Sequence, residues 1–526
     1  LDAFLQQYDL SSQEGVVLMC LAEALLRVPD KATADRLIAD KLTSADWRSH
    51  LGTSESTFVN ASTWGLMLTG RIIRPASRDV EQPGKFMQRL VSRLGEPVVR
   101  GAMRQAMRIM GHQFVMGRTI GDALKRASGG EGAAYRFSFD MLGEAALTAA
   151  DSQRYLEAYH AGIRAIAAAD RKPESIFAAD SISVKLSALF PRYEFAKRER
   201  VLEELTPRIL ELAVAAREAG VGLTIDAEEA DRLQISLELF EQVFRDDALQ
   251  GWDGFGLAVQ SYLKRGLDAC RWVIALAEET GRCIPIRLVK GAYWDAEIKR
   301  AQENGLESYP VFTRKVNSDV SFLACARALL AAPGRVYPQF ATHNAHSVAS
   351  IIHFAGENRQ FEFQRLHGMG EELYAEVIGK ERFDLPCRVY APVGNHEDLL
   401  PYLVRRLLEN GSNTSFVNRI VDEEAPVEQI VADPVATVDA LEDVPHPRIP
   451  PPAGIFGEER SNSRGVNLAD PAALQPLAAA MHAAITQPRR AMPVIDGKHV
   501  AGEARPVRDP ADNRRVVGEV VWATEA

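Results

Sequence analysis

The sequence contains few cysteines and no apolar segment long enough to cross a membrane. Its five cysteines, Cys20, Cys270, Cys283, Cys325 and Cys387, are scattered and form no CxxC pair. This spacing excludes a cysteine-based metal knuckle or disulfide framework and favours a reducing compartment. No apolar run approaches the roughly 18 residues of a membrane-spanning helix, and no signal-peptide pattern is found. These features are compatible with peripheral contact with a membrane.

Basic residues are outnumbered by acidic ones. The chain has 61 lysines and arginines against 71 aspartates and glutamates, which gives a net charge of −10 and a pI of about 5.7. A broad nucleic-acid surface is not indicated by this balance. A DNA-binding regulator would also need a basic β-helix-helix segment, and none is found. We therefore expect no nucleic-acid partner.

The 526 residues are too many for one ordinary domain and predict about three or four. Residues 1–130 have helical periodicity. Residues 421–454 are acidic and rich in proline, as in a linker. Residues 455–526 predict one helix and two hairpins, around "IDGK" and "PADN", and are too few for a full domain core. We expect a fragment of a further domain there, and a missing natural start before Leu1.

Residues 131–420 alternate short strand-like runs with longer helical stretches. The eight runs are 135–142, 181–188, 221–228, 254–262, 284–293, 336–344, 361–368 and 387–394. Eight strands with helical connections in a span of this size predict an α/β fold, a (β/α)₈ TIM-type barrel. The strands carry polar residues towards their carboxyl ends, where barrel enzymes build their sites. These strand-end residues are Glu144, Lys185, Asp226, Gln260, Arg287, Lys290, His343, Asn344, Gln364 and Tyr390.

Single residues in this set have more than one interpretation. Lys185 is a candidate Schiff-base lysine of a barrel aldolase, or it forms an ion pair with Asp226. Asp226 lies on an apolar strand, and an arginine is its expected partner. His343 and His346 resemble a metal pair, but the HxH pattern of metal barrels is absent. We predict no metal site.

The fifth run ends in "RLVKGAYW" and predicts a cofactor site. Arg287 and Lys290 supply positive charge, and Gly291 allows close approach to the backbone. Tyr293 and Trp294 add aromatic surface. Together these residues suit a planar, phosphate-bearing cofactor. The Rossmann and P-loop glycine motifs are both absent.

The segment "YLVRRLLENGSNTSF" directly follows the eighth strand. On a helical wheel Tyr402, Arg405, Arg406 and Glu409 share one face, and leucines and a valine fill the other. Spacing alone favours a solvated charged face. Because the segment lies beside the strand ends, the alternative is that Arg405 and Arg406 bind an anion over the site, and we call this arrangement the clamp.

Several long motifs together resemble the proline dehydrogenase domain of bifunctional proline-utilisation flavoenzymes. They are "SVKLSALFPRY", "TIDAEEADR", "IRLVKGAYWDAEIK", "ATHNAHSV", "FQRLHGMGE" and "VYAPVGNHEDLLPYLVRRLLENGSNTSFVN". The resemblance implies a distorted barrel with non-covalent FAD. It implies hydride transfer from C5 of L-proline to flavin N5, which gives 1-pyrroline-5-carboxylate, and electron transfer to a membrane quinone.

The same resemblance assigns roles to residues and favours the clamp. The implied catalytic residues are Lys185, Asp226, Tyr390, Arg405 and Arg406. The implied substrate-binding residues are Lys185, Tyr293, Leu366, Tyr390, Tyr402, Arg405, Arg406 and Glu144, with Glu144 pairing with Arg405 to close the site. The implied flavin contacts are Asp226, Gln260, Arg287, Lys290, Gly291, Ala292, Trp294, Phe312, Thr313, Thr342, His343, Asn344, Gln364, Leu366, Glu409, Ser415 and Phe416.

The resemblance also extends to the rest of the chain. It implies that residues 455–526 open an aldehyde-dehydrogenase domain, whose activity this fragment lacks and whose NAD site is missing. It further implies an oligomeric full-length protein in the cytoplasm, associated peripherally with the inner membrane when reduced.

Overall fold

The computed structural model describes residues 115–169, 173–394, 431–487 and 489–524. Eight parallel strands close into a barrel in chain order, with β8 paired to β1. The strands are β1 (Arg136–Asp140), β2 (Ser181–Val184), β3 (Gly222–Ile225), β4 (Phe255–Gln260), β5 (Ile284–Val289), β6 (Val336–Ala341), β7 (Glu362–Leu366) and β8 (Cys387–Pro392). Each lies within one of the eight runs, so the predicted (β/α)₈ barrel is confirmed.

Helices connect and flank these strands. In the described parts of the chain they are α1 (Ile120–Ser128), α2 (Ala149–Ala168), α3 (Leu186–Leu189), α4 (Arg198–Glu218), α5 (Leu233–Phe244), α6 (Gly266–Thr280), α7 (Trp294–Glu303), α8 (Lys315–Leu330), α9 (Ala345–Ala355), α10 (Glu371–Ile378), α11 (Pro434–Asp439) and α12 (Pro471–Thr486). Local sequence sets their ends. Thr148 and Asp151 form a capping box at the start of α2, and Gly281 ends α6 in the left-handed conformation.

The barrel strands are buried on both faces. Every residue of β2, β3 and β4 is buried, because helices cover the outside and side chains fill the inside. On β5 the residues Ile284, Ile286 and Leu288 belong to the hydrophobic core. Arg287 alternates with them and is 3% exposed. The strand period therefore directs Arg287 into the barrel interior.

The amino-terminal end of the barrel is closed by a charged group, the base cluster of Arg136, Glu362 and Arg388. Arg388 Nε lies 2.6 Å from Glu362 Oε1, and Arg136 Nη1 lies 3.0 Å from Glu362 Oε2. Arg388 also donates to the carbonyls of Phe137 and Ala179 at 3.0 and 2.7 Å. Burial alone would raise the pKa of Glu362, but Arg388 and Arg136 lower it. The base cluster thus holds β1, β7 and β8 together.

Residues 443–465 run along the outside of the barrel, and we call this segment the strap. Arg314 donates to the carbonyls of Asp443 and Pro445, and Tyr309 donates to the carbonyl of Pro450. Gly465 N donates to the carbonyl of Gly305 at 2.9 Å. The predicted linker is therefore hydrogen bonded to the barrel between residues 443 and 450.

The carboxyl-terminal part of the chain contains helix α12 followed by short strands, most of them in antiparallel hairpins. Strands β10 (Val494–Ile495) and β11 (Lys498–His499) form one hairpin, and β12 (Glu503–Arg508) pairs with β13 (Val516–Trp522) in another. A short strand, β9 (Arg489–Ala491), pairs with β13 in parallel. In the first turn Asp496 and Gly497 both have positive φ, as a tight hairpin turn requires. The hairpins predicted around "IDGK" and "PADN" are confirmed, as is the helix before them.

Candidate active site

Polar side chains from five strands meet at the carboxyl end of the barrel. We call Asp140, Lys185, Asp226, Arg287 and Tyr390 the mouth cluster. They come from β1, the end of β2, the end of β3, β5 and β8. Four of them are at least nine-tenths buried, and Tyr390 is partly exposed. The convergence expected from the sequence is therefore present for these strand ends.

Lys185 joins both carboxylates of the mouth cluster. Its Nζ lies 2.7 Å from Asp140 Oδ2, 3.2 Å from Asp226 Oδ2 and 3.2 Å from Tyr390 Oη. Burial alone would lower the pKa of Lys185, but Asp140, Tyr390 and Asp226 raise it well above its ordinary value. The ammonium is therefore charged at neutral pH. A Schiff-base lysine must lose this proton to act as a nucleophile.

The Arg287 side chain lies across the barrel interior, and its hydrogen bonds fix its orientation. Its Nη1 lies 2.5 Å from Asp226 Oδ1, and its Nε donates to Gln364 Oε1 at 2.7 Å. Nη2 donates to Ser138 and Ser183 at 3.0 Å each. Burial alone would raise the pKa of Asp226, but Lys185 and Arg287 lower it. The arginine partner expected for Asp226 is thus Arg287.

Asp140 is the member of this cluster that the sequence did not identify. It ends β1, is fully buried, and lies 2.7 Å from both Lys185 Nζ and Tyr390 Oη. The polar residue assigned to the first strand end was Glu144, which lies in the following loop. The segment "RFSFD" carried a usable signal, because its alternation ends in an aspartate on an inward position.

Glu144 belongs to a loop that is anchored to the neighbouring strand end. Ala145 N donates to Ser187 Oγ at 2.9 Å, and Ala146 N donates to the Ser187 carbonyl at 2.8 Å. Leu142 and Ala145 have positive φ values of 28° and 51°. Such backbone is unusual outside glycine and concentrates in functional loops. Glu144 itself is partly exposed beside the mouth cluster's first strand.

The predicted flavin contacts lie mostly at the ends of β5 to β7. Arg287, Thr342 and Gln364 are buried there, like the ends of β1 to β4. The other contacts at these ends are partly exposed, namely Lys290, Gly291, Trp294, His343, Asn344 and Leu366. Lys290 pairs with Asp319, and Trp294 Nε1 donates to the Phe312 carbonyl at 2.8 Å. Ala292 is exposed, and Tyr293 and Leu366 are partly exposed on the same side. An accessible rim with cationic, aromatic and amide groups therefore surrounds this half of the mouth.

Other predicted flavin contacts are hydrogen bonded within the protein. Gln260 donates to the Glu228 carbonyl at 2.7 Å, and Thr313 accepts a hydrogen bond from the strap at 2.9 Å. His343 Nε2 accepts from Leu366 N at 3.1 Å. Asn344 caps α9, and its backbone N–H donates to Thr342 Oγ1 at 3.1 Å. These bonds hold the β6 and β7 ends in place.

The rim fits the flavin that the motifs imply. Gly291 has a φ of 137°, and a Cβ there would meet the Tyr262 ring at 2.4 Å, so only glycine can hold this backbone at the rim. The partly exposed Lys290 places positive charge at the rim, and the partly exposed Trp294 offers an apolar face. We find no feature of the described rim that conflicts with a planar cofactor.

Six predicted site residues lie outside the described residues. They are Tyr402, Arg405, Arg406, Glu409, Ser415 and Phe416. Within the described mouth cluster, the two cations are already paired with the two carboxylates. A substrate carboxylate would therefore need a further cation, which is the role predicted for Arg405 and Arg406.

Glu297 lies in the first turn of α7 and ties it to the β3–α5 connection. Its Oε1 accepts from Ala230 N at 2.7 Å, and burial, with Asp231 nearby, raises its pKa to about 7. A carboxyl with a raised pKa stabilises the fold below its ordinary value of 4.5, and this contribution is lost as the pH rises through 7. We expect Glu297→Gln to stabilise the protein by about 2 kcal/mol at pH 8 and little at pH 5.

Thermal unfolding at the two pH values measures this effect. Glu303→Gln is the matched control, because Glu303 lies on the same helix with its side chain 64% exposed. The control should change neither melting temperature. An equal shift for Glu297→Gln at both pH values would contradict the expected titration.

Comparison with known proteins gives the family. Residues 123–419, which contain the barrel, match the family model described as proline dehydrogenase. This match spans more than half of the chain, and the chain belongs to the proline dehydrogenase family. The family resemblance inferred from the motifs is confirmed.

Individual relatives are longer than this chain. The bifunctional protein PutA of Salmonella typhimurium is 52% identical over 99% of this chain and 40% of its own length. That of Escherichia coli is 51% identical over 99% of this chain and 40% of its length. A crystal structure of bifunctional proline utilization A has 46% identity and a TM-score of 0.70, and covers 93% of this chain and 48% of that one. The chain thus spans about two fifths of the curated relatives.

A second family match concerns residues 1–114. It is to the model described as the DNA-binding domain of proline dehydrogenase. This match counts against our expectation that nucleic acid is not a partner, which rested on net charge and on the absence of a basic β-helix-helix segment. The predicted helical region 1–130 falls largely outside the described residues. A family model recognises patterns that overall charge does not reveal.

Proposed function

We propose that this protein oxidises L-proline to 1-pyrroline-5-carboxylate, the first step of proline breakdown to glutamate. The observation that carries the proposal is the coincidence of two features. The proline dehydrogenase match covers residues 123–419, and the buried mouth cluster lies inside that span. FAD, when bound non-covalently, supplies the acceptor for the hydride that leaves proline C5.

The chain's own residues would bind and orient the substrate. Arg405 and Arg406 would take its carboxylate, since a guanidinium offers planar, paired donors. Four residues would pack the ring, namely Tyr390, Tyr402, Tyr293 and Leu366. Glu144 would pair with Arg405 and close the pocket. Lys185 and Asp226 would fix Tyr390 through their hydrogen bonds to its hydroxyl.

The residues that would hold the flavin line the rim between β5 and β7. Arg287, held by Asp226 and Gln364, would keep a positive charge beside the reacting ring. Lys290, Trp294, His343 and Asn344 line the same rim, with the remaining predicted contacts around them. Fixed charges and hydrogen bonds near a flavin are the means by which a protein tunes its electronics.

The rest of the proposed activity concerns the longer protein. A membrane quinone would be the final electron acceptor, reached during transient peripheral association. No helix in the described parts of the chain is long and apolar enough to span a bilayer. Residues 455–526 would begin an aldehyde-dehydrogenase domain that uses NAD, and the full-length cytoplasmic protein would be oligomeric.

Purified protein tests this function directly. We expect a yellow protein with flavin absorbance that proline bleaches under anaerobic conditions and that a quinone analogue restores. D-proline and pipecolate serve as matched controls for the shape of the pocket. A protein that stays colourless after reconstitution with FAD would reject the proposal.

The barrel aldolase is the competing function. It requires a neutral Lys185, whereas the paired carboxylates keep this ammonium charged. Borohydride added with a carbonyl substrate would then leave the mass of the protein unchanged. A covalent adduct on Lys185 would favour the aldolase instead.

A further inference from the structure

The Tyr390 hydroxyl faces two carboxylates but has one hydrogen. Its Oη lies 2.7 Å from Asp140 Oδ2 and 2.6 Å from Asp226 Oδ2. Burial, Asp140 and Asp226 raise the pKa of Tyr390 well above its ordinary value, so the phenol is neutral. Its hydrogen can serve one carboxylate only. With both carboxylates ionised, the other short oxygen–oxygen contact has no hydrogen between its atoms.

The missing hydrogen cannot come from Lys185. The ammonium already points at Asp140, Asp226 and the Tyr390 oxygen, and its three hydrogens serve these three acceptors. Each short contact in the mouth cluster therefore contains a hydrogen only when one additional proton is bound. Two cations and two carboxylates make the described cluster neutral without it, and the proton would make its charge +1.

Asp140 is the better of the two carboxylates for this proton. Asp226 is held by two cations, Lys185 and Arg287, which favour its ionised form. Among the described residues, Asp140 has one cation, Lys185, and its Oδ1 is buried without a hydrogen-bond partner. A buried, unpartnered carboxylate oxygen is costly as part of an anion. Protonation of Asp140 relieves that cost.

Resting on the proposed function, we infer that Asp140 accepts, through the Tyr390 hydroxyl, the proton that the substrate ammonium must lose before hydride transfer. A nitrogen–hydrogen bond of the substrate breaks, and its electron pair stays on nitrogen. Tyr390 Oη takes that proton as its own hydrogen moves to Asp140 Oδ2. The lone pair then assists departure of the hydride, and the cluster's new positive charge complements the substrate carboxylate.

In the described part of the chain, four groups lie around Asp140. Lys185 and Tyr390 contact it directly, and Asp226 faces it across the Tyr390 hydroxyl. Tyr159 approaches from α2, where its hydroxyl accepts from Lys185 N at 3.1 Å. Burial raises the pKa of Tyr159 far above its ordinary value, so this phenol is neutral as well. Neither phenol competes as the final acceptor.

Asp140→Asn isolates the proton-accepting role. Asparagine has the shape of a protonated aspartate, and its amide can donate to Tyr390 as the acid would. The variant should therefore fold, retain flavin and bind tetrahydrofuran-2-carboxylate, which lacks the amine, at least as tightly as wild type. It should lose about a hundredfold or more in kcat/KM for proline at neutral pH, the scale of general base catalysis.

The pH profile separates this role from a structural one. In Asp140→Asn, kcat/KM should keep rising about tenfold per pH unit, as more substrate is deprotonated in solution, while the wild type levels off. The loss of kcat/KM in Asp140→Asn relative to wild type should therefore become smaller at alkaline pH. Glu228→Gln is the control, because Glu228 is a third buried carboxylate at this end, bonded to Ser187 and Arg232. The pH profile of kcat/KM for Glu228→Gln should keep the wild-type shape.

A spectroscopic measurement detects the proton itself. The infrared difference spectrum on anaerobic addition of proline should gain a protonated-carboxyl band in wild type and in Asp226→Asn, but not in Asp140→Asn. Should Asp140→Asn fail to fold, Tyr390→Phe must show the same alkaline recovery. A deficit that is equal at every pH, or a band that persists in Asp140→Asn, would overturn the inference. A wild-type flavin that proline does not reduce would instead reject the proposed function.

Discussion

Arg388→Met is expected to lower the free energy of unfolding by about 3–5 kcal/mol, the usual cost of removing one partner of a buried ion pair. Arg388 is 2% exposed, and its removal leaves Glu362, which is fully buried, with Arg136 as its remaining cation. The carbonyls of Phe137 and Ala179 each lose a donor as well. Chemical denaturation at neutral pH measures the loss.

Two further conditions identify the cause of this loss. Because Arg388 and Arg136 lower the pKa of Glu362, the stabilisation is present above 4.5 and is lost as the pH falls through the lowered value. The difference between Arg388→Met and wild type should therefore shrink in acid. Arg382→Met is the control, since Arg382 is 61% exposed in its ion pair and should cost less than about 1 kcal/mol. A loss that does not change with pH would contradict the ion-pair explanation.

Lys185→Met is expected to lower kcat/KM for proline by two to three orders of magnitude, which corresponds to about 3–4 kcal/mol. The substitution leaves Asp140 without its cation and removes one of the groups that hold the Tyr390 hydroxyl. Both carboxylates then face each other across that hydroxyl, and their repulsion displaces it. Steady-state kinetics with a quinone analogue measures the effect, and flavin content shows whether the fold survives.

Lys264→Met is the matched control for this substitution. Lys264 is exposed, and its Nζ bonds to Ser308 at 2.9 Å, away from the mouth cluster. It should keep its kcat/KM within about twofold, since exposed hydrogen bonds contribute little. A wild-type rate for Lys185→Met would remove Lys185 from the proposed site.

The barrel could be predicted from the sequence because its signal is local. Each strand is a short apolar run between helical stretches, and polar residues mark where the run ends. The same reasoning located Lys185, Asp226, Arg287 and Tyr390, since neighbouring strand ends must meet in a closed barrel. That reasoning needs only the order of the elements.

Other features depended on distances that the sequence does not contain. Asp140 was missed because Glu144, four residues later, was the more conspicuous polar residue after β1. The base cluster is not predicted by this reasoning, because Arg136, Glu362 and Arg388 lie near the starts of strands rather than at their carboxyl ends. Arg136 and Glu362 are 226 positions apart, and no local pattern pairs them. Composition predicts a linker for the strap only up to residue 454, whereas hydrogen bonds to the barrel determine its path.

The strap limits how far the chain can move after leaving the barrel. A Cβ on Gly465 would lie 1.8 Å from the Asn304 carbonyl oxygen, so the two backbones are in direct contact at this point. Residues 466–470 then lead to α12, and five extended residues reach at most about 18 Å. Ala469 and Leu474 also pack on the barrel core. Whatever follows α12 is therefore held on a short tether at a fixed side of the barrel, so its encounters with the barrel occur at high effective concentration.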